Sequence, residues 1–301
     1  PVLEPADPGE VSRFYLEAAR LSQRLHMPVI LRLTTHVCHA KQKVAFGAWQ
    51  PQSPDDTPRF DSANGPYIPL TSLALEQKRT ALDRLEQVRR HAEKSDLNQS
   101  VDNGNAKRGV ITMGLPFLSL METIGGVAKK PDILKLAYVH PLPRKTITDF
   151  LSRHQTVKIL EELDDVLENQ IKSIAFDEKI PVTIIGKTLT DDWIGEYTPD
   201  KVRQVLARSW PDMIPPDKVP AAPDPAPSRV AQLCPGCGHR SAFFAIKQAL
   251  AATDITVADI GCHTLGFQPP YNMGQLLMCM GASTAMGSGL RLFNTSRNVV
   301  A

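Results

Sequence analysis

The sequence lacks several features that would assign it to a class at once. Cysteine is scarce, with five in 301 residues, and a single pair, Cys234 and Cys237, has CxxC spacing. So few thiols make no disulfide framework. With one CxxC pair they predict a reducing compartment, the cytoplasm, with metal or redox use. No apolar run reaches the roughly 18–20 residues of a membrane-spanning helix. Charge of neither sign dominates: 34 Lys and Arg against 32 Asp and Glu leave a net +2, with no long basic run. Nothing therefore marks nucleic acid as a partner. The opening PVLEPADPGE has neither the basic start nor the apolar core of a signal peptide. There is no initiator Met, and the chain stops at Asn298-Val299-Val300-Ala301, which reads as the start of a buried strand. The expectation is a fragment. What is present, 42% hydrophobic and 22% charged residues, fits a globular protein, and the length allows about two domains.

Taken in order, Pro8-Gly9-Glu10 leads into a helix whose Val11, Phe14, Ala18 and Leu21 share one face. Val29 to Val37 is β-branched and apolar and predicts a short buried strand. Thr34, Thr35, His36, Cys38 and His39 then fall at its carboxyl end, where open α/β sheets gather ligands. A capped loop explains these residues equally well. From Gly47 to Pro69 the chain is rich in Pro, Asp and Ser, a loop or linker. A charged helix is predicted from about Leu73 to Lys94, with Leu75, Leu82, Leu85 and Val88 as its apolar stripe. Asp102 to Asn105 signals a turn.

From Arg108 the pattern alternates. RGVITMG is a strand, and PFLSLMETIGGV a helix stopped by Gly125-Gly126. DILKLAYVHPLP is a strand entering a Pro-rich turn, RKTITDFLSRH a helix, and Val157 to Leu160 a strand followed by another helix. β-α-β-α-β-α predicts a parallel sheet with helical cover. Glu161-Glu162 at a strand end invites an acid/base reading. The neighbouring Asp164, Asp165 and Glu168 favour a plainer one, acidic residues matched to a helix dipole. Ile180 to Ile185 is a small edge strand, and Pro199 to Trp210 a short helix. Seven prolines between Pro211 and Pro227 mark a semi-rigid linker and a domain boundary.

The stretch from Leu233 to Leu290 carries the site. Cys234-Pro235-Gly236-Cys237 forces a tight turn that lets two thiolates converge on a metal. A helix follows from about Ser241, and its free N–H groups favour thiolate or a bound anion. ITVADIG is a buried strand with Cys262 just past its end. An iron–sulfur cluster on Cys234, Cys237 and Cys262, a zinc site completed by His239 or His263, and a redox disulfide all remain open. Cys279 begins an apolar helix-like run and reads as a buried packing residue. CMGAS with Gly287 and Gly289 reads either as a loop closely approached by a ligand or as tight helix–sheet packing.

CPGCGHR, DIGCHTLG and MCMGAS, in this order and close together, resemble the large subunit of indolepyruvate ferredoxin oxidoreductase. That subunit is a branch of the thiamine-diphosphate-dependent 2-oxoacid:ferredoxin oxidoreductases. PVILRLTTHVCH resembles the strand closing its pyrimidine-binding domain, and AYVHPLPRKTITDFL and KILEELDDVLENQI resemble its transketolase-C-like middle domain. The resemblance implies an α/β fold of successive parallel-sheet domains with helices on both faces. It implies a pyrimidine-binding-type end over 1–60, a transketolase-C-like domain over 61–210, a linker over 211–228 and the start of a diphosphate-binding domain over 229–301. Thiamine diphosphate, Mg²⁺ and a [4Fe-4S] cluster are the implied cofactors. A second, smaller subunit, ferredoxin, a 2-oxoacid and coenzyme A are the implied partners, in an oligomer. Gly261, Cys262, His263, Thr264 and Leu265 match the loop beside the diphosphate. Gly281, Ala282 and Ser283 match a second cofactor-facing loop, and Cys234, Cys237 and Cys262 match cluster cysteines of related enzymes. The Gly-Asp-Gly-type metal motif, the glutamate that activates the aminopyrimidine and the C-terminal ferredoxin-like cysteines have no match, so no catalytic residue is assigned. His36 stands where the resemblance implies an arginine, against a substrate contact there. The implied reaction is oxidative decarboxylation of an aryl 2-oxoacid to an acyl-CoA, with electrons passed to ferredoxin. The alternatives are a zinc-binding assembly module and a non-oxidative thiamine-dependent decarboxylase.

Overall fold

The computed structural model describes residues 1–47, 70–214, 231–294 and 296–301. It divides into two compact units, Pro1–Lys218 and Val219–Ala301. Of the expected loop over Gly47 to Pro69, all but Gly47 lies outside the described residues, as does most of the proline-rich linker.

In the first unit β1 (Val2–Leu3) precedes α1 (Pro8–Leu25). Asp7 caps α1 by accepting from the Glu10 amide at 2.8 Å, and Pro8 presets the first turn. Phe14, Ala18, Leu21 and Leu25 recur at helical spacing and are buried. The strand expected over Val29 to Val37 is much shorter: only β2 (Ile30–Leu31) pairs, and Thr34 ends the extension by opening a one-turn helix, α2 (Thr35–His39). α3 (Thr71–Ala92) forms as expected, but its stripe is buried only towards its end, at Val88 and Ala92. Leu75 and Leu82 are exposed, a correction to the predicted apolar face.

The main sheet contains β3 (Gln99–Val101), β4 (Arg108–Met113), β5 (Asp132–Leu136), β7 (Thr156–Leu160) and β8 (Thr183–Ile185), in the order β3-β5-β4-β7-β8. All pairs are parallel except β3 with β5. α4 (Leu115–Thr123) and α7 (Pro199–Ser209) cover one face, where Val110, Ile133 and Leu160 meet Leu120, Val202 and Leu206. α5 (Arg144–Leu151) and α6 (Val166–Asp177) cover the other, where Ile111, Leu134 and Ile159 meet Phe150 and Ile171. This is the expected α/β layering with helices on both faces. Each fully buried Leu, Ile or Phe contributes about 1.5–3 kcal/mol, so these two cores dominate the unit's stability. Packing over β4 is close: a Cβ on Gly109 would lie 2.7 Å from Phe150 Cε1.

The strand expected from Asp132 into the Pro-rich turn splits at Ala137. β5 stays in the main sheet, while β6 (Tyr138–His140) pairs antiparallel with β1 in a separate sheet, β2-β1-β6. At the break the Ala137 amide donates to Asn98 Oδ1 at 2.8 Å, replacing the lost ladder bond.

The second unit is smaller in its regular structure. It comprises α8 (Gly238–Ala249), a short parallel pair of β9 (Ile255–Thr256) and β10 (Val299–Val300), a 3₁₀ turn at Cys262–Phe267 and α9 (Ser283–Phe293), and Leu233, Phe243 and Met273 form its small core. The expected strand ITVADIG pairs with β10 only at Ile255 and Thr256, and Val257 adds a single parallel bridge to Leu276.

Candidate functional site

The CxxC turn forms as its sequence dictates. Gly236 takes φ +74, and the Cys237 amide donates to the Cys234 carbonyl at 3.1 Å. α8 starts at once, so Cys237 stands at its N-terminus. Cys237 Sγ lies 3.3 Å from His239 Nδ1. The His239 and His263 rings are 6.4 Å apart, and His263 meets Phe243 edge to face at 5.1 Å. Cys234 and Cys262 are exposed and Cys237 is half-buried. Among the described residues, no three His, Cys, Asp or Glu side chains converge as a metal requires. The structure therefore does not bring Cys234, Cys237 and Cys262 together as a cluster site.

The two glycine loops are brought together. Gly261, at φ +129, turns the chain after β9 into the 3₁₀ turn holding Cys262, His263, Thr264 and Leu265. Gly266 is buried there, and a Cβ on it would lie 2.9 Å from Phe243 Cζ, so α8 packs directly on this turn. Gly281, at φ +80, and Ala282 lead into α9, which begins at Ser283. Asp259 joins the loops. Its carboxylate accepts from the Gly281 amide at 2.8 and 3.0 Å, from the Ser283 amide at 3.4 Å and from its neighbour Ile260 at 2.9 Å. Its own amide donates to His263 Nδ1 at 3.1 Å, and its carbonyl accepts the Thr264 hydroxyl at 3.0 Å. The Gly281 amide, followed by Ser283, holds the Asp259 carboxyl below the usual carboxylate range. Sequence reasoning passed over Asp259; the available signal was one carboxylate inside an apolar strand, directly before the Gly-Cys turn.

One further reading changes, and at Gly287 one of two open readings is favoured. Cys279 is exposed and precedes α9, a correction to its assignment as a buried packing residue. Gly287 is buried, and a Cβ on it would sit 3.0 Å from Ala301 Cβ, so packing accounts for it.

In the first unit a cavity of about 470 Å³ opens at the carboxyl ends of β4 and β7, where the connections depart to opposite faces. Its walls include Glu4, ion-paired with Arg32, together with His140 and Glu161. Burial raises the carboxyl pKa of both Glu4 and Glu161. Glu161 accepts the Leu167 and Glu168 amides, each at 2.8 Å, and so anchors the start of α6. The plainer reading of this acidic cluster is the one its geometry supports. His36 lies on α2, exposed, with Nδ1 2.6 Å from Glu196 Oε2.

No family model matches the chain. It is 30% identical over 311 residues to indolepyruvate oxidoreductase subunit IorA of Methanothermobacter thermautotrophicus, spanning 99% of this chain and 49% of the relative. Over nearly its whole length the chain is similar to the IorA subunits. Two further IorA relatives, from Thermococcus kodakarensis and Archaeoglobus fulgidus, are 30% and 28% identical over 97% and 96% of the chain. The chain spans about half the length of the IorA proteins it matches. Among solved structures, a 2-oxoglutarate:ferredoxin oxidoreductase from Magnetococcus marinus is similar with a TM-score of 0.45 and 14% identity, over 69% of this chain and 41% of that chain. A split-gene transketolase gives 0.37 and 16% identity, over 67% and 52%. Both likenesses are too distant to bear on the site.

Proposed function

We propose that this chain contributes the thiamine-diphosphate loops of an enzyme that oxidatively decarboxylates an aryl 2-oxoacid, as the names of the IorA relatives suggest. The observation that carries the reading is the joining of the Gly261–Gly266 turn to the Gly281–Ser283 loop at the end of β9. Backbone N–H groups at such loop-to-helix junctions suit a diphosphate, and glycines at positive φ let it approach the backbone. Gly261 meets this requirement, since no atom lies within 4 Å of where its Cβ would be. Bound thiamine diphosphate supplies the nucleophilic carbon and the electron sink that decarboxylation needs. The roles proposed for this chain are to seat the diphosphate with Gly261 to Leu265, to set the facing loop with Gly281 to Ser283, and to keep both rigid. Ferredoxin as electron acceptor, coenzyme A as acyl acceptor and a second subunit belong to the same proposal. No electron-transfer step is assigned to Cys234, Cys237 and Cys262, because the three do not converge.

The test is metal and cofactor analysis of the complete protein, purified without oxygen. Bound thiamine diphosphate together with iron supports the proposal. A sample free of both, or one holding zinc alone, overturns it.

A further inference from the structure

The reading of the two loops as a cofactor cradle leaves one question of positioning. A loop that carries an anion site must be held still, and the loop before α9 has no cap of its own: Ala282 occupies the N-cap position and offers no side-chain acceptor. The acceptor comes instead from the facing loop. Asp259 reaches across 22 residues to the Gly281 amide and across 24 to the Ser283 amide. The same residue fixes the other loop from its own backbone, through His263 Nδ1 and the Thr264 hydroxyl. The side chain and the backbone N–H and C=O of one residue thus set the separation of the two loops.

We propose that Asp259 is the positioning residue of the cofactor cradle, a latch that holds Gly281 to Ser283 in register with Cys262 to Leu265. This rests on the reading of the loops as the thiamine-diphosphate site. The latch also has an electrostatic consequence. The amides of Gly281 and Ser283 are already satisfied by a carboxylate, so they are not the diphosphate's donors. The loop before α9 therefore acts through its shape. The carboxylate's charge is balanced by the amides it accepts, which limits its repulsion of a nearby diphosphate.

The experiment uses the complete enzyme carrying Asp259→Ala or Asp259→Asn. Amide hydrogen exchange over residues 278–286 is followed without cofactor, and thiamine diphosphate affinity is measured by titration. Asp259→Ala should lose protection across this segment and bind the cofactor about fivefold more weakly, the scale of a lost helix cap. Asp259→Asn, which keeps an oxygen acceptor of the same shape, should recover most of both. Unchanged exchange overturns the latch, and lost protection with unchanged affinity overturns its positioning role. Tighter binding by Asp259→Ala also overturns it, since the carboxylate would then be competing with the diphosphate. If the unaltered enzyme binds no thiamine diphosphate, the cofactor reading fails and the positioning role with it. Lost protection in Asp259→Ala would then identify a helix cap only.

Discussion

Asp192 offers a perturbation whose size can be worked from the structure. It lies in a 3₁₀ turn, Thr190–Trp193, and is 2% exposed. One carboxylate oxygen accepts the Thr188 and Leu189 amides at 2.9 and 3.1 Å, and the other accepts Arg208 Nη2 at 2.5 Å. Burial alone would raise its pKa. The two amides and the guanidinium outweigh burial and hold the carboxyl at about 2, against 3.8 for a free aspartate. A folded-state pKa below the unfolded one stabilises the fold above the unfolded value, and that stability is lost as pH falls through the folded value. At about 1.4 kcal/mol per pH unit, the gap of roughly 1.8 units is worth about 2–2.5 kcal/mol, lost between about pH 4 and pH 2. Asp192→Asn removes this component and leaves Arg208 without its anion. Urea unfolding of the complete protein, followed by tryptophan fluorescence from buried Trp210, measures it from pH 7 to pH 2.5. Asp192→Asn should be less stable at pH 7 by about 2 kcal/mol and should show a flatter acid limb. The same acid limb in both proteins would refute the assignment.

Other outcomes follow from particular contacts. Lys158 is buried, donates to the Gly186 carbonyl at 2.5 Å, and has its pKa pushed down to about 8 by burial. Between pH 8 and about 10.5 the unfolded chain binds the extra proton, so stability should rise with pH there. Lys158→Met should abolish that rise and be no less stable at pH 7 in denaturant titrations. Gly266→Ala would drive a methyl against Phe243 and should cost about 1–3 kcal/mol, read by thermal unfolding of the complete protein. Cys279 is exposed, so it should alkylate readily in the native protein, and Cys279→Ser should change stability by less than about 0.5 kcal/mol. Slow alkylation would restore the buried assignment.

Much of the first unit was legible because local signals and burial agree there. Asp7-Pro8 and the spacing of Phe14 to Leu25 dictate α1. The alternation from Arg108 to Ile185 dictates the parallel sheet, since β4, β5 and β7 are apolar on both faces. The misreadings have physical causes. An unbroken apolar run does not record which sheet it joins, so the division of β5 from β6 at Ala137 was hidden. That break depends on Asn98, 39 residues earlier in the chain. Val29 to Val37 has strand propensity, but Thr34 and Thr35 turn the chain into α2. In the second unit the glycine loops were legible from Gly261 and Gly281, whose positive φ few other residues accept. The convergence of cysteines was not, because CxxC spacing fixes a turn and leaves open whether a distant third thiol meets it. Asp259 was missed because a carboxylate ending a strand has many ordinary roles, and its partners lie 22 and 24 residues away.

The complete protein, with the proposed second subunit, should be mixed, without oxygen, with indolepyruvate, coenzyme A, Mg²⁺ and oxidised ferredoxin, with and without added thiamine diphosphate. The account predicts bleaching of ferredoxin that depends on thiamine diphosphate and matches the acyl-CoA formed at two electrons per turnover. Release of free aldehyde with ferredoxin still oxidised, or no reaction with any aryl 2-oxoacid, would contradict it.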